Sequence, residues 1–155
     1  MVLAISWVIK MRNKIFKNLL YLAILCSVLT FVAMSVFMYS LFYDQMKNEI
    51  RTETLYIATA LNIDEDSYLS KLNEVTSINR ITIIDTDGTV LFDTNYDKDK
   101  MENHLYRPEV KSALETGKGE ATRYSTTINQ QTFYYAMQLD NGHILRVASI
   151  TSSVI

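Results

Sequence analysis

The sequence has little of what marks a small secreted, catalytic or nucleotide-binding domain. It has one cysteine, one proline, four glycines and two histidines in 155 residues. A lone cysteine excludes an internal disulfide. Cys26 sits in an apolar run, where it serves as a small hydrophobe. So few glycines leave no phosphate-cradling loop, and scarce Gly and Pro exclude a linker-rich or disordered chain. His104 and His143 are far apart, with no nucleophile paired to either, so no catalytic residue, metal site or cofactor is implied. Asp85-x-Asp87-Gly88 starts like a calcium loop but lacks the later ligands and the terminal glutamate. Asp-Gly behind a β-branched run reads first as a turn.

Charge is missing from one long stretch. No Asp, Glu, Lys or Arg occurs from Asn18 to Tyr43, enough helix to cross a bilayer core of about 30 Å. Lys10, Arg12, Lys14 and Lys17 precede it, and Asp44 and Glu49 follow. Positive charge stays inside, so the expected layout is a basic cytoplasmic N-terminus (1–18), a transmembrane helix (19–43) and an extracytoplasmic domain (44–155). The run ends Met38-Tyr39-Ser40-Leu41-Phe42-Tyr43, too bulky for a signal-peptide cleavage site and suited to an interfacial aromatic belt. The net charge of −2 divides into +4 before the run and −6 after it. An acidic outer domain without a basic stripe is a poor nucleic-acid binder.

Residues 44–61 lack Gly and Pro, which predicts that the membrane helix continues outward. Met46, Ile50, Ile57 and Leu61 recur at helical spacing, and that stripe is read as the seam of a parallel homodimer; one flank could equally pack on the chain's own domain. Asp64-Glu65-Asp66 caps a short helix to Leu72. Ile81-Thr82-Ile83-Ile84, Thr89–Asp93, Ala121–Ile128, Thr132–Leu139 and His143–Ile150 are expected strands. Asp85–Gly88 and Asp140-Asn141-Gly142 supply tight turns, and Pro108 to Gly117 bounds a helix. The expected fold class is α+β: a transmembrane helix running into a long outer helix, then a five-stranded antiparallel sheet with flanking helices.

On these residues the chain resembles the extracytoplasmic PAS-like (Cache/PDC) sensor domain of bacterial sensor histidine kinases, closest to the phosphate-regulon and cell-wall-regulator type. The resemblance rests on the helix leaving the membrane, on Ile81–Asp93, and on Arg107-Pro108-Glu109-Val110, Ala113-Leu114 and Gly117-x-Gly119. It extends through Arg123-Tyr124-Ser125-Thr126, Tyr134-Tyr135-Ala136 and Leu145-Arg146-Val147-Ala148. It implies the signal-input module of a two-component receptor, whose response regulator is reached only through a kinase core not present here. Similar domains sit on chemoreceptors and on cyclic-dinucleotide cyclases, and a membrane-anchored binding module without a kinase is the alternative. The chain stops on its last strand and reads as the N-terminal part of a longer receptor.

The resemblance also implies where a ligand would lie. Arg107, Arg123, Tyr124, Ser125, Tyr134 and Arg146 are the residues most compatible with a small anion, held between the sheet and residues 96–114. Arginine's planar fork meets a carboxylate in two hydrogen bonds. Each arginine is equally explained by pairing with an acid of this acidic domain, and an envelope protein is an alternative partner to a small molecule. Alternation sets Phe133, Tyr135, Met137 and Leu139 on a core face, with Tyr134 on a pocket floor or on the surface. His104 is expected in a solvated loop.

Overall fold

The computed structural model describes residues 2–72, 79–125 and 130–150, without the side chains of residues 2–6, 8, 9, 66 and 125. The element order is α1 (Val2–Ile63), α2 (Glu65–Leu72), β1 (Arg80–Ile84), β2 (Val90–Asp93), α3 (Pro108–Thr116), β3 (Lys118–Ser125), β4 (Gln130–Gln138) and β5 (Ile144–Ile150). The chain forms two compact units, Met1–Phe42 and Tyr43–Ile155.

The first unit is helical, long and apolar enough to cross a membrane, and none of its apolar stretch is buried. Two of its hydroxyls bond to the helix's own carbonyls. Thr30 donates to the Cys26 and Ser27 carbonyls, and Ser35 donates to Phe31. A helix in hydrocarbon requires this, because no water is there to take those bonds.

In the second unit, β-branched residues and tight turns build one antiparallel sheet of order β2-β1-β5-β4-β3. β5, last in the chain, lies at its centre, pairing Arg146 with Thr82 on one side and with Ala136 on the other. Side-chain alternation divides two cores. Ile81, Ile83, Phe133, Tyr135, Leu145 and Val147 pack against Ile50, Ile57, Ala58 and Leu61 of α1, with Tyr68, Leu69 and Leu72 of α2 alongside. Ile84, Ala136 and Ile144 meet Val110, Ala113 and Leu114 of α3 on the opposite face. Fully burying each large aliphatic contributes about 1.5–3 kcal/mol.

Several expectations change in detail. β3 begins at Lys118, three residues before the expected start, and the expected strand residues 126–128 lie outside the described residues. The stripe read as a dimer seam faces the chain's own sheet. Ile50, Ile57 and Leu61 are buried there and Met46 is half-buried, because the sheet's apolar face needs a cover and this is the helix's most apolar side. A second copy would meet a different flank. α2 starts as expected, with Asp64 Oδ1 accepting the Ser67 amide.

Candidate functional site

A cleft of about 510 Å³ opens on the α3 face of the sheet. Its floor is a row of side chains from four adjacent strands: Arg80 on β1, Arg146 on β5, Tyr134 on β4 and Arg123 on β3. Its wall is the segment between β2 and α3, which contributes Asn95, Tyr96, Asp97, Lys100, Met101, Glu102, His104 and Arg107. Two glycines fix that geometry. Gly88, at φ 87° in the β1–β2 turn, lies so close to Asn103 and Leu105 that any Cβ would collide with them. The same turn ties down the wall: the Gly88 carbonyl accepts the His104 amide at 2.8 Å, and Asn103 Nδ2 donates to the Asp87 carbonyl at 2.8 Å. Gly119 on β3 lets the Glu109 backbone approach as closely.

Glu109 organises the floor. It lies in the first turn of α3, where the helix N-terminus favours an anion, and it is fully buried. Its Oε1 accepts from Arg123 Nη2 at 2.7 Å and from Arg146 Nη1 at 3.4 Å. Arg146, 2 % exposed, also donates to Thr82 Oγ1 at 3.2 Å. Burial lowers the Arg146 guanidinium to about 10, against the opposing pull of Glu109, so it stays cationic at neutral pH. Tyr134 lies beneath both arginines, its ring centroid 4.1 Å from the Arg123 guanidinium carbon and 5.3 Å from that of Arg146. Glu109 Oε2, Arg123 Nε and Arg146 Nε are buried without a partner among the described residues.

The other cations are committed to different degrees. Arg80 grips Asp93 through Nε at 2.9 and 3.1 Å and stacks on Tyr96 at 4.4 Å. Asp93 also accepts from Thr82 Oγ1 and from the Asn95 and Tyr96 amides, so its acceptor capacity is used. Lys100 pairs with Asp97 at 3.2 Å. Arg107 reaches only the exposed Glu102, at 3.9 Å. Five cations thus meet four carboxylates, and the cleft carries a surplus of about one positive charge.

Of the anticipated residues, Arg107, Arg123, Tyr134 and Arg146 come together here. Arg123 and Arg146 pair with an acid and also line the cleft. Tyr134 is buried on the floor. Tyr124 does not line the cleft: strand alternation turns it away from Arg123, and it is 58 % exposed. The Ser125 side chain lies outside the described residues. Asp85 and Asp87 spend their carboxylates on the Thr86 and Thr89 amides, as turn residues do. Arg80, Tyr96, His104 and Glu109 were not assigned to the site from sequence. The usable signal was parity: Arg80 and Thr82 share a face of β1, and Thr82 stands opposite Arg146.

His104 departs furthest from expectation. It is buried rather than solvated, 6 % exposed, because the Gly88 turn draws its loop onto the sheet. Burial, then the charge of Arg146, pulls its imidazole down from 6.5 to about 4; Glu102 opposes, and Arg107 and Arg80 add to the fall. Its Nδ1 lies 2.6 Å from the Glu102 carbonyl, which can only accept, so Nδ1 carries the proton.

A sheet of this order, covered on both faces and carrying a cationic cleft on one, defines a PAS-like sensor-type domain. The family model described as Single Cache-like matches residues 40–144, and the chain belongs to that family. A search of curated proteins finds no match. Among solved structures, one described as the "Structural basis for carboxylic acid recognition by a Cache chemosensory domain" is similar at a TM-score of 0.47. The two share 11 % identity over 73 % of this chain and 95 % of that one.

Proposed function

We propose that residues 44–155 form the extracytoplasmic input domain of a membrane-bound receptor and that its cleft receives a small organic anion. The observation that carries this reading is the floor of Arg123 and Arg146, pinned by one buried carboxylate and left with surplus positive charge. Arginines held in advance lose little freedom on meeting a carboxylate, which is how a shallow site becomes selective. The proposed topology is a cytoplasmic residue 1–18 segment, a span over residues 19–43 and the domain outside, supported by the basic cluster before the apolar run. The proposed output is a sensor histidine kinase acting on a response regulator, by resemblance to that receptor class. Chemoreceptors and cyclic-dinucleotide cyclases carry the same fold. The proposed assembly is a homodimer through the flank of α1 that faces away from the sheet.

Thermal unfolding of the whole chain in lipid nanodiscs, titrated with acetate, propionate and phosphate, tests the cleft. A ligand at 100 times its dissociation constant stabilises by about 2.7 kcal/mol. Arg123→Ala is expected to remove the shift given by the monocarboxylates while the unliganded protein stays folded. No shift with any of the three anions would turn the reading toward an envelope-protein partner.

A further inference from the structure

We infer that His104 is a specificity-determining residue of this cleft and that it selects a monocarboxylate bearing a hydroxyl group over amino acids and over unsubstituted acids. The inference rests on the anion site proposed above and names its ligand class.

The argument starts from the tautomer. Nδ1 gives its proton to the Glu102 carbonyl, so the second ring nitrogen, Nε2, is a bare acceptor. Nε2 bonds to no described residue, and the His104 ring lines the cleft that Arg123 and Arg146 also line. An anion seated on those arginines therefore shares the cleft with an uncharged acceptor, among lining groups that include five cations. Only a ligand with its own donor uses it, and the donor must sit close to the carboxylate.

Charge then separates a hydroxyl from an amine. The two buried acids do not line the cleft: Asp93 is saturated by Arg80, Thr82 and two amides, and Glu109 shares Oε1 between two arginines and keeps Oε2 enclosed. No buried carboxylate is left to receive an ammonium. Glu102 and Asp97, the acids that line the cleft, are 90 % and 51 % exposed and are paired with Arg107 and Lys100. A zwitterion would bring a further positive charge into a cleft that already carries a surplus of about one. A hydroxyl satisfies His104 without that cost. The surplus of about one positive charge likewise fits one carboxylate better than two.

The test is calorimetric titration of the whole chain in nanodiscs with lactate, propionate and alanine. Lactate is expected to bind about tenfold tighter than propionate, the value of one hydrogen bond, with alanine weaker than lactate by at least as much. His104→Leu is expected to remove the preference for lactate over propionate. A second readout needs no variant. The 15N imidazole spectrum should show the unprotonated Nε2 signal of His104 moving on addition of lactate and not of propionate. Equal affinity for lactate and propionate, tighter binding of alanine, or a still Nε2 signal would overturn the inference and leave the anion site standing. Failure of all three compounds to bind would remove the site itself.

Discussion

At the scale of single residues, the cleft is a set of charges held in place by one acid. Glu109 lies under two arginines, one of them almost wholly buried, and its removal strands both. Breaking such a pair typically costs about 3–5 kcal/mol, far more than a surface ion pair. Glu109→Ala is expected to lower the unfolding free energy, read from urea denaturation, by that order. Arg51→Ala, which breaks an exposed pair with Glu120, should cost less than about 1 kcal/mol. His104 gives a pH signature. Its folded-state pKa is depressed from 6.5 to about 4, so the unfolded chain binds more protons between those values and stability falls as pH drops through that window. The groups facing it are Arg146, Arg107, Arg80 and the Glu102 carbonyl. His104→Asn is expected to flatten the acid limb between pH 6.5 and 4 in a denaturation series. His104 was not legible as a site residue, because its burial comes from a glycine turn sixteen positions earlier that folds its loop inward.

At the scale of elements, local pattern carried most of the fold. The β-branched run Ile81–Ile84 is a fully buried strand, Pro108 and Gly117 bound α3, and Asp140-Asn141-Gly142 turns β4 into β5, with Gly142 at φ 91°. What periodicity could not say is which partner a stripe meets. Met46, Ile50, Ile57 and Leu61 are spaced for a helix seam, yet the nearest apolar surface is the sheet of the same chain. The remaining flank of α1 exposes Thr52, Leu55, Tyr56 and Thr59. For the proposed homodimer, single cysteines at Thr52, Leu55 and Thr59 are expected to cross-link between copies in membranes, and those at Ile50 and Ile57 are not. Cross-linking at the buried positions would mean that the helix leaves the sheet. Gly119→Ala is expected to cost about 1–3 kcal/mol, because the new methyl group would push against the Glu109 backbone.

At the scale of the molecule, the candidate site was legible only in part. Arg107, Arg123 and Arg146 stand out as cations in an acidic domain, whereas Arg80 joins them only because β1 and β5 are neighbours, a pairing no local window contains. The proposed orientation makes its own prediction. A periplasmic-type reporter enzyme fused after Ile150 should be active outside the cytoplasm, and exchanging the basic residues at 10, 12, 14 and 17 for acids should reduce that activity.

The central place of β5 bears on how such a chain is made. The sheet cannot close until its last strand arrives, since β5 bridges β1 and β4. A chain made from its N-terminal end therefore passes through a stage with two half-sheets whose inner edges are open, and open edges invite pairing with other chains. The interval between the completion of β1 and that of β5 is when unpaired strand edges leave the chain most open to aggregation. Slowing synthesis would lengthen that interval without altering a single contact of the finished fold.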